Sequence, residues 1–363
     1  MRSFHHAPRD LDVIPRMYWM WILRWMCEAG PRPRLAGMTN STTTLPSAGF
    51  PSPQQRRGSL LVKKVLLWGV VSAVAVAGVL ALLTFTYLWR SPNYYDAPAI
   101  AGEVEDRIVG QAEYSEDHDS PFTFRAGNVV VFGAEHMRDP NDPQIALIDK
   151  LWDQLDPTVA LVEGRLGFLA PGFMDPVEKY GESGHVLGLA KKHDADAYTW
   201  EMPEEELVAA LAERHPKERV ALFMVLRPYF SNLRNGKPDD PEAFVEEFLA
   251  RAEYPSVAGP IADPADIDRI WDRDFPAGPD WRDVSDEHGL PGYLQDVSDS
   301  SNDLRNRHLV RVAVDLAARG ERVFVVAGSS HAVLTRDAFT QAADDREDDG
   351  AAGTGDAATG GAS

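Results

Sequence analysis

The sequence has almost no cysteine and a deficit of positive charge. Cys27 is the only cysteine in 363 residues, which excludes an internal disulfide framework and any zinc or iron–sulfur site built from several cysteines. Lys and Arg number 36 against 56 Asp and Glu, a formal net charge of −20. Because nucleic-acid binding requires cations that neutralise phosphates, no nucleic-acid partner is expected for the whole protein.

Several catalytic signatures are missing as well. The chain contains no H-E-x-x-H, no G-x-S-x-G and no Walker A sequence. Each of these short sequences supplies the metal ligands, the nucleophile or the phosphate cradle of its enzyme class, so their absence argues against those sites.

The charge is unevenly distributed. Residues 1–64 carry a net charge of +7, and residues 65–363 carry −27. At the boundary, residues 65–89 form an apolar run without any charged side chain. A helix of that length spans about 37 Å at about 1.5 Å per residue, which exceeds the hydrocarbon core of a bilayer. The sequence predicts an N-terminal transmembrane helix at residues 65–89.

Basic residues precede this run, and acidic residues follow it. Arg56, Arg57, Lys63 and Lys64 lie on its N-terminal side, and only Arg90 lies close to its other end. The positive-inside rule then predicts a single-pass membrane protein with a cytoplasmic N-terminus and an extracytoplasmic C-terminal domain. The alternative is a cleaved signal peptide, whose apolar region is usually about 7–15 residues long. The longer run favours an uncleaved anchor.

The two ends of the chain are not expected to fold. Residues 1–64 form a basic, mostly disordered cytoplasmic segment in which only the stretch 17–27 is strongly apolar. Either that stretch lies on the membrane surface, or translation begins at Met38 and residues 1–37 are a mis-annotated start; the sequence favours the second alternative. Residues 343–363 are acidic and almost free of large apolar side chains, which predicts a disordered tail.

Residues 127–342 are expected to form one α/β domain, entered through a linker at 90–126. Short β-branched runs predict strands, and amphipathic segments between them predict helices. The strands are expected at 128–132, 158–162, 196–200 and 322–327. Between and after them the sequence predicts a helix broken by glycines at 176–193, a helical insertion at 203–273, a loop-rich stretch at 274–300 and helices at 304–319 and 332–342. Near-continuous apolar strands that alternate with helices indicate a mostly parallel sheet.

Polar residues follow each predicted strand. Gly133 and His136 follow the first, Glu163 and Arg165 the second, Glu201 the third, and Gly328 and His331 the fourth. In parallel α/β sheets, ligands bind outside the carboxyl ends of the strands, so these residues are expected to converge. A lone strand-end histidine is more often structural than catalytic, and the repeated G-x-x-H pattern strengthens the functional interpretation.

One cation is expected to point into the domain. In the helix 304–319, Arg305 and Asn306 share the face of Leu309 and Val312, whereas Arg307 lies on the solvated face. A buried arginine requires a carboxylate or an anionic ligand. It either forms an internal salt bridge to Glu163 or Glu201, or it holds a substrate carboxylate or oxyanion.

This set of residues admits several chemistries. Two imidazoles and one or two carboxylates are able to bind a divalent metal that activates water. The same groups are also able to act as general acid and general base without a metal. Ser329 and Ser330 beside His331 suggest a serine nucleophile, although adjacency in sequence is not triad geometry.

The order of these motifs resembles the TraB/PrgY/GumN family, which includes the Tiki proteins. The resemblance covers residues 127–340 and rests on Gly133 with His136, Glu163 with Arg165, Glu201, Arg305-Asn306, and Gly328 with His331. It implies an α/β core related to erythromycin esterase and ChaN-like proteins. It also implies a metal-dependent peptidase in which the two G-x-x-H histidines, His136 and His331, and a glutamate form the site. The expected site residues are then His136 and His331 as ligands of Mn, Co or Zn, Glu163, Glu201 and Arg305 as catalytic residues, and Arg165 and Asn306 as substrate-binding residues. The anchor, the acidic tail and the loop-rich stretch around residues 255–300 depart from the family.

Three hypotheses follow from the sequence. The first is a membrane-anchored extracytoplasmic hydrolase that acts on peptides. The second is a non-catalytic module that binds a peptide or, as in ChaN relatives, haem. The third is a scaffold in which the polar residues form only a buried salt-bridge network.

Overall fold

The computed structural model describes residues 67–80, 82, 90–115, 117–170 and 172–355. The chain divides into two compact units, Met1–Ala75 and Val76–Ser363. Residues 67–80 and 82 are helical, and the rest of the predicted anchor at 65–89 lies outside the described residues, as do the predicted segments 1–64 and 356–363. Of the helices in the described ranges, none is both long and apolar enough to cross a membrane.

The second unit is built around one sheet. Its strands are β1 (Asn93–Tyr94), β2 (Phe122–Ala126), β3 (Val129–Ala134), β4 (Val159–Val162), β5 (Asp196–Thr199) and β6 (Val323–Gly328). The strand order is β1-β5-β4-β6-β3-β2. Only the β2–β3 pair is antiparallel. The predicted α/β class with a mostly parallel sheet is therefore confirmed.

Nine α-helices follow the first strand within the described residues. They are α1 (Gly102–Glu105), α2 (Pro143–Leu155), α3 (Pro176–His193), α4 (Glu204–Ala212), α5 (Lys217–Asn232), α6 (Pro241–Glu246), α7 (Pro264–Asp274), α8 (Tyr293–Ala318) and α9 (Ser329–Gly355). Short 3₁₀ turns lie at Gln111–Glu113, Leu233–Asn235, Leu249–Ala252, Trp281–Asp283 and Asp286–His288.

Helices cover both faces of the sheet. Alternate residues of β3 point to opposite sides: Val129 and Val131 pack with α8 and α9, and Val130 and Phe132 pack with α2 and α3. Because both faces are buried, these strands must be apolar at every position, which explains their continuous Val and Phe runs. A separate apolar core is formed by helices α4 to α7, the turns between them and the first turns of α8.

Apart from shifts of one or two residues at strand ends, the structure differs from the predicted boundaries in three places. β1 and β2 lie within the segment predicted as a linker. Helix α8 begins at Tyr293 instead of residue 304, because Leu294 and Val297 are fully buried in the helical core. Helix α9 continues to Gly355, whereas the sequence predicted its end at 342 and a disordered tail beyond.

Candidate functional site

The carboxyl ends of β5, β4, β6 and β3 lie side by side, because these strands are neighbours in the sheet. A cavity of about 1150 Å³ opens at this edge. Its lining includes the residues that follow three of the strands, together with one residue of α8: Glu135, His136, Glu163, Ser329, Ser330, His331 and Arg305. The parallel topology therefore brings together residues that are far apart in sequence.

Arg305 is the centre of a buried network. Its side chain is only 4% exposed. Nε and Nη2 donate to the two carboxylate oxygens of Glu201, at 2.8 and 2.5 Å, and Nη2 also donates to Glu163 at 3.0 Å. Nη1 donates to Asn302 at 3.0 Å and lies 3.1 Å from Nε2 of His331. A guanidinium has five N–H donors, so these contacts engage every one of them.

Trp200 forms a platform beneath this network. The indole is fully buried, and its Nε1 donates to the carbonyl of Val326 at 2.9 Å. The guanidinium carbon of Arg305 lies 5.0 Å from the indole ring, and the His331 ring meets the same indole edge-on at 5.1 Å. The residue that follows β5 thus fixes the orientation of both groups.

His331 is held in one tautomer. Its Nε2 faces a guanidinium N–H, which can only donate, so Nε2 is the acceptor and Nδ1 carries the hydrogen. Nδ1 then donates to Oδ1 of Asn306 at 2.5 Å. Burial and the charge of Arg305 lower the pKa of His331 to about 4, so the ring is neutral at pH 7. With both nitrogens engaged, His331 is not available as a base for Ser329 or Ser330.

The pKa of His136 is displaced in the opposite direction from that of His331. Its Nδ1 lies 2.8 Å from Oε1 of the buried Glu182. This hydrogen bond, helped by the charge of Glu163 and opposed by burial, raises the pKa of His136 to about 9. The imidazole is therefore protonated at neutral pH. Among the described residues, its Nε2 has no hydrogen-bond partner, and it borders the cavity.

Glu182 reaches His136 through a break in α3. Gly181 has φ +59° and ψ −147°, a conformation that is strained for any residue with a Cβ. A Cβ at this position would also lie 2.6 Å from the carbonyl oxygen of Met137. The sequence predicted that glycines interrupt this helix, but it did not indicate that the break brings a carboxylate to the site.

The two predicted carboxylates occupy different positions. Glu163 lines the cavity and accepts the backbone N–H of Gly328 at 2.7 Å. Burial opposes its charge, but His136, Arg305 and this hydrogen bond bring the pKa of Glu163 well below its usual range. Glu201 is not among the described residues that line the cavity, and both its oxygens bind Arg305. Arg305 outweighs burial and lowers the pKa of Glu201.

The two motif glycines allow close packing at the strand ends. A Cβ on Gly133 would lie 2.7 Å from the Cβ of Ala332 and 2.8 Å from the carbonyl oxygen of Phe122. A Cβ on Gly328 would lie 2.9 Å from Nε2 of His136 and 3.7 Å from Oε2 of Glu163. Gly133 therefore admits α9 against β3, and Gly328 admits His136 over the end of β6.

The predicted substrate-binding residues do not face the cavity. Arg165 is exposed, and its guanidinium lies 5.3 Å from the ring of Tyr94. Asn306 is fully buried and orients His331. As predicted, Arg305 points inward and Arg307 is exposed.

The side chains do not fit a divalent metal in this arrangement. Nε2 of His331 accepts a guanidinium N–H, so its lone pair is not free, and Glu163 receives donors from Arg305 and Gly328. Across the described ranges, no group of three or more His, Cys, Asp or Glu side chains is placed to hold a metal ion. In this arrangement His136 and His331 do not offer a metal a shared set of free ligands, and the Mn, Co or Zn site stays a prediction from the sequence.

Three residues that contribute to the site were not identified from the sequence. Glu182 binds His136, Asn302 binds Arg305, and Arg227 of α5 lines the cavity. All three lie within helices, so the rule that singles out strand ends gave no signal for them. The glycine at 181 was the one local indication.

Comparison of the chain with models of known protein families, with curated proteins and with solved structures gave no match. The structure by itself defines an α/β domain with a polar cavity at the carboxyl edge of its sheet.

Proposed function

We propose that the chain is a TraB/GumN-like hydrolase, tethered to the membrane by residues 65–89, that cleaves peptide bonds outside the cytoplasm by acid–base chemistry. One observation carries the proposal. A protonated imidazole, His136, and an ionised carboxylate, Glu163, both lie beside Gly328 at the floor of a cavity large enough for a peptide segment. At neutral pH the imidazole therefore carries the proton that an acid donates, and the carboxylate is in the ionised form that a base requires.

In the proposed reaction, Glu163 accepts a proton from a water molecule whose oxygen attacks the carbonyl carbon. The C–N bond breaks, and Nε2–H of His136 donates its proton to the leaving amine nitrogen. The charge of His136 is what most strongly lowers the pKa of Glu163. As His136 loses its proton, the affinity of Glu163 for a proton rises, so the two transfers assist each other.

The buried network provides the frame for this pair. Arg305 binds Glu201, His331 and one oxygen of Glu163, and His331 binds Asn306. Arg305 and His331 both pack against Trp200. Because all five N–H donors of Arg305 are engaged without a ligand, the catalytic carboxylate is held in place before the substrate binds. Such pre-organisation is the usual source of electrostatic catalysis in enzymes.

The test is cleavage of a mixed peptide library by the purified full-length chain, followed by mass spectrometry. His136→Asn and Glu163→Gln are expected to lower the rate of cleavage at least about 100-fold, the usual contribution of general acid–base catalysis. His185→Asn is the matched control, because His185 also binds a carboxylate, Asp149 at 2.7 Å, but does not line the cavity. Cleavage that persists unchanged in both site variants would refute the proposal.

A further inference from the structure

Arg305 has no donor left for a ligand. Its five N–H groups are engaged by Glu201, Glu163, Asn302 and His331. A substrate carboxylate or oxyanion would have to displace one of these buried partners, and leaving a buried charge unpaired costs several kcal/mol. Recognition of an anionic group therefore has to come from another residue of the cavity.

Helix α5 contributes one wall of the cavity. The residues of α5 that line the cavity recur at helical spacing: Phe223, Arg227, Phe230 and Ser231; Arg234, in the 3₁₀ turn that follows, also lines it. Phe223 and Phe230 are fully buried. Ser231 and Arg234 both bind Asp286, at 2.6 and 2.7 Å, and are thereby fixed. Arg227 lies between Phe223 and Phe230 in the sequence. Unlike Ser231 and Arg234, it does not bind Asp286.

The guanidinium of Arg227 is unpaired. In the part of the chain that the structure describes, it makes no hydrogen bond and no ion pair. Burial and the nearby charge of Arg305 lower the pKa of Arg227 to about 10, so it remains protonated at neutral pH. Glu201 and Glu163 act on it from a distance in the opposite direction, but their oxygens are held by Arg305.

Arg227 is half-buried in the cavity wall, and a charged guanidinium that loses part of its hydration is unfavourable without an anionic partner. Its planar array of donors matches the oxygens of a carboxylate or a phosphate. We infer that Arg227 binds an anionic group, a carboxylate or a phosphate, of the ligand that enters the cavity. This inference rests on the proposed function and narrows its substrates to peptides that carry such a group near the scissile bond.

The inference is tested by binding, without turnover. The thermal unfolding midpoint of the full-length chain is measured at pH 7 against increasing sodium acetate or sodium phosphate, with sodium chloride at equal ionic strength as reference. A bound anion raises the midpoint, and the concentration dependence gives an apparent Kd. In Arg227→Met we expect this Kd to increase at least tenfold, whereas Arg227→Lys retains most of the affinity.

The control is Arg214→Met, which removes the same charge from an exposed arginine outside the cavity lining.

A response to acetate alone assigns a carboxylate, and a response to phosphate alone assigns a phosphate. If Arg227→Met does not fold, loss of the response in Arg227→Gln with retention in Arg227→Lys supports the inference. No response of the wild type beyond chloride, or an equal response in the Met or Gln variant, overturns it. Failure of peptide cleavage would leave this binding result unaffected, so the two proposals fail separately.

Discussion

Gly328 makes room for His136, because a Cβ on Gly328 would lie 2.9 Å from Nε2 of the imidazole and 3.3 Å from its Cε1. We predict that Gly328→Ala pushes the imidazole away from Glu163 and lowers the cleavage rate about 100-fold, the cost of a displacement of about 1 Å at a reacting group. The measurement is turnover, with the unfolding midpoint recorded in parallel. Gly102→Ala is the control, because a Cβ there has no neighbour within 4 Å. Full activity of Gly328→Ala would show that this contact is irrelevant to catalysis.

The acid form of His136 sets an upper pH limit on activity. Since the imidazole must be protonated to donate, kcat/KM should fall as the pH rises through about 9. Glu182→Gln removes the carboxylate that raises this pKa, so the alkaline limb should move to lower pH, toward the ordinary value of histidine. Complete pH profiles of the two proteins provide the check, and a limb that does not move would exclude His136 as the acid.

The same pair makes stability depend on pH. The pKa of His136 is raised in the folded state, so its stabilising effect is complete below the unfolded value of 6.5 and is lost as the pH rises through about 9. The difference in free energy of unfolding between wild type and Glu182→Gln should therefore be largest near pH 6 and shrink toward pH 10. Urea denaturation across this range measures it. A difference that stays constant with pH would mean that the imidazole–carboxylate contact carries no charge.

Removing Arg305 should be strongly destabilising. In Arg305→Met, Glu163 and Glu201 lose their shared cation inside the domain, and breaking such a buried pair typically costs about 3–5 kcal/mol. Denaturant unfolding of the full-length chain measures the loss. Adding Glu201→Gln to Arg305→Met should recover part of it, because one uncompensated charge is then removed. Strictly additive effects of the two substitutions would argue against direct coupling between them.

Metal is not expected to be needed for cleavage. Because His331 and Glu163 are occupied by N–H donors, the purified chain should contain no stoichiometric Mn, Co or Zn, and 1,10-phenanthroline should leave turnover unchanged. Elemental analysis of the wild type and of the His136→Ala/His331→Ala double variant tests this directly. Metal bound to the wild type and lost from the double variant would restore the metal-dependent mechanism that the family resemblance implies.

The central strands could be predicted from sequence because their environment leaves a clear pattern. A strand such as β3, with helices on both faces, is apolar at every position, and Gly133 marks its end. The edge strands leave no such pattern: β1 has two residues, and β2 alternates between exposed and half-buried side chains. The first turns of α8 contain Ser and Asp residues, whose low helix propensity argued against a helix there. Burial of Leu294 and Val297 outweighs this propensity.

The residues of the candidate site also divide into those that the sequence indicates and those that it does not. His136, Glu163, Glu201 and His331 were found because they follow strands, and a parallel sheet aligns the carboxyl ends of its strands. Arg305 was expected either to pair with Glu163 or Glu201 or to hold an anionic substrate group, and it binds both glutamates. The saturation of its donors could not be predicted, since it depends on side-chain geometry across three elements. For the same reason, the sequence did not point to Arg227.

The central strand β6 is the last strand of the chain, and it pairs with both β3 and β4. During synthesis, Glu163 and Glu201 emerge 142 and 104 residues before the arginine that neutralises them. Until β6 is made, no strand joins β4, which pairs with β5, to β3, which pairs with β2. Until α8 is made, Glu163 and Glu201 lack the arginine that neutralises them. Contacts of such long sequence separation form slowly. Nascent and truncated chains that end before residue 323 should therefore depend on chaperones and be degraded readily.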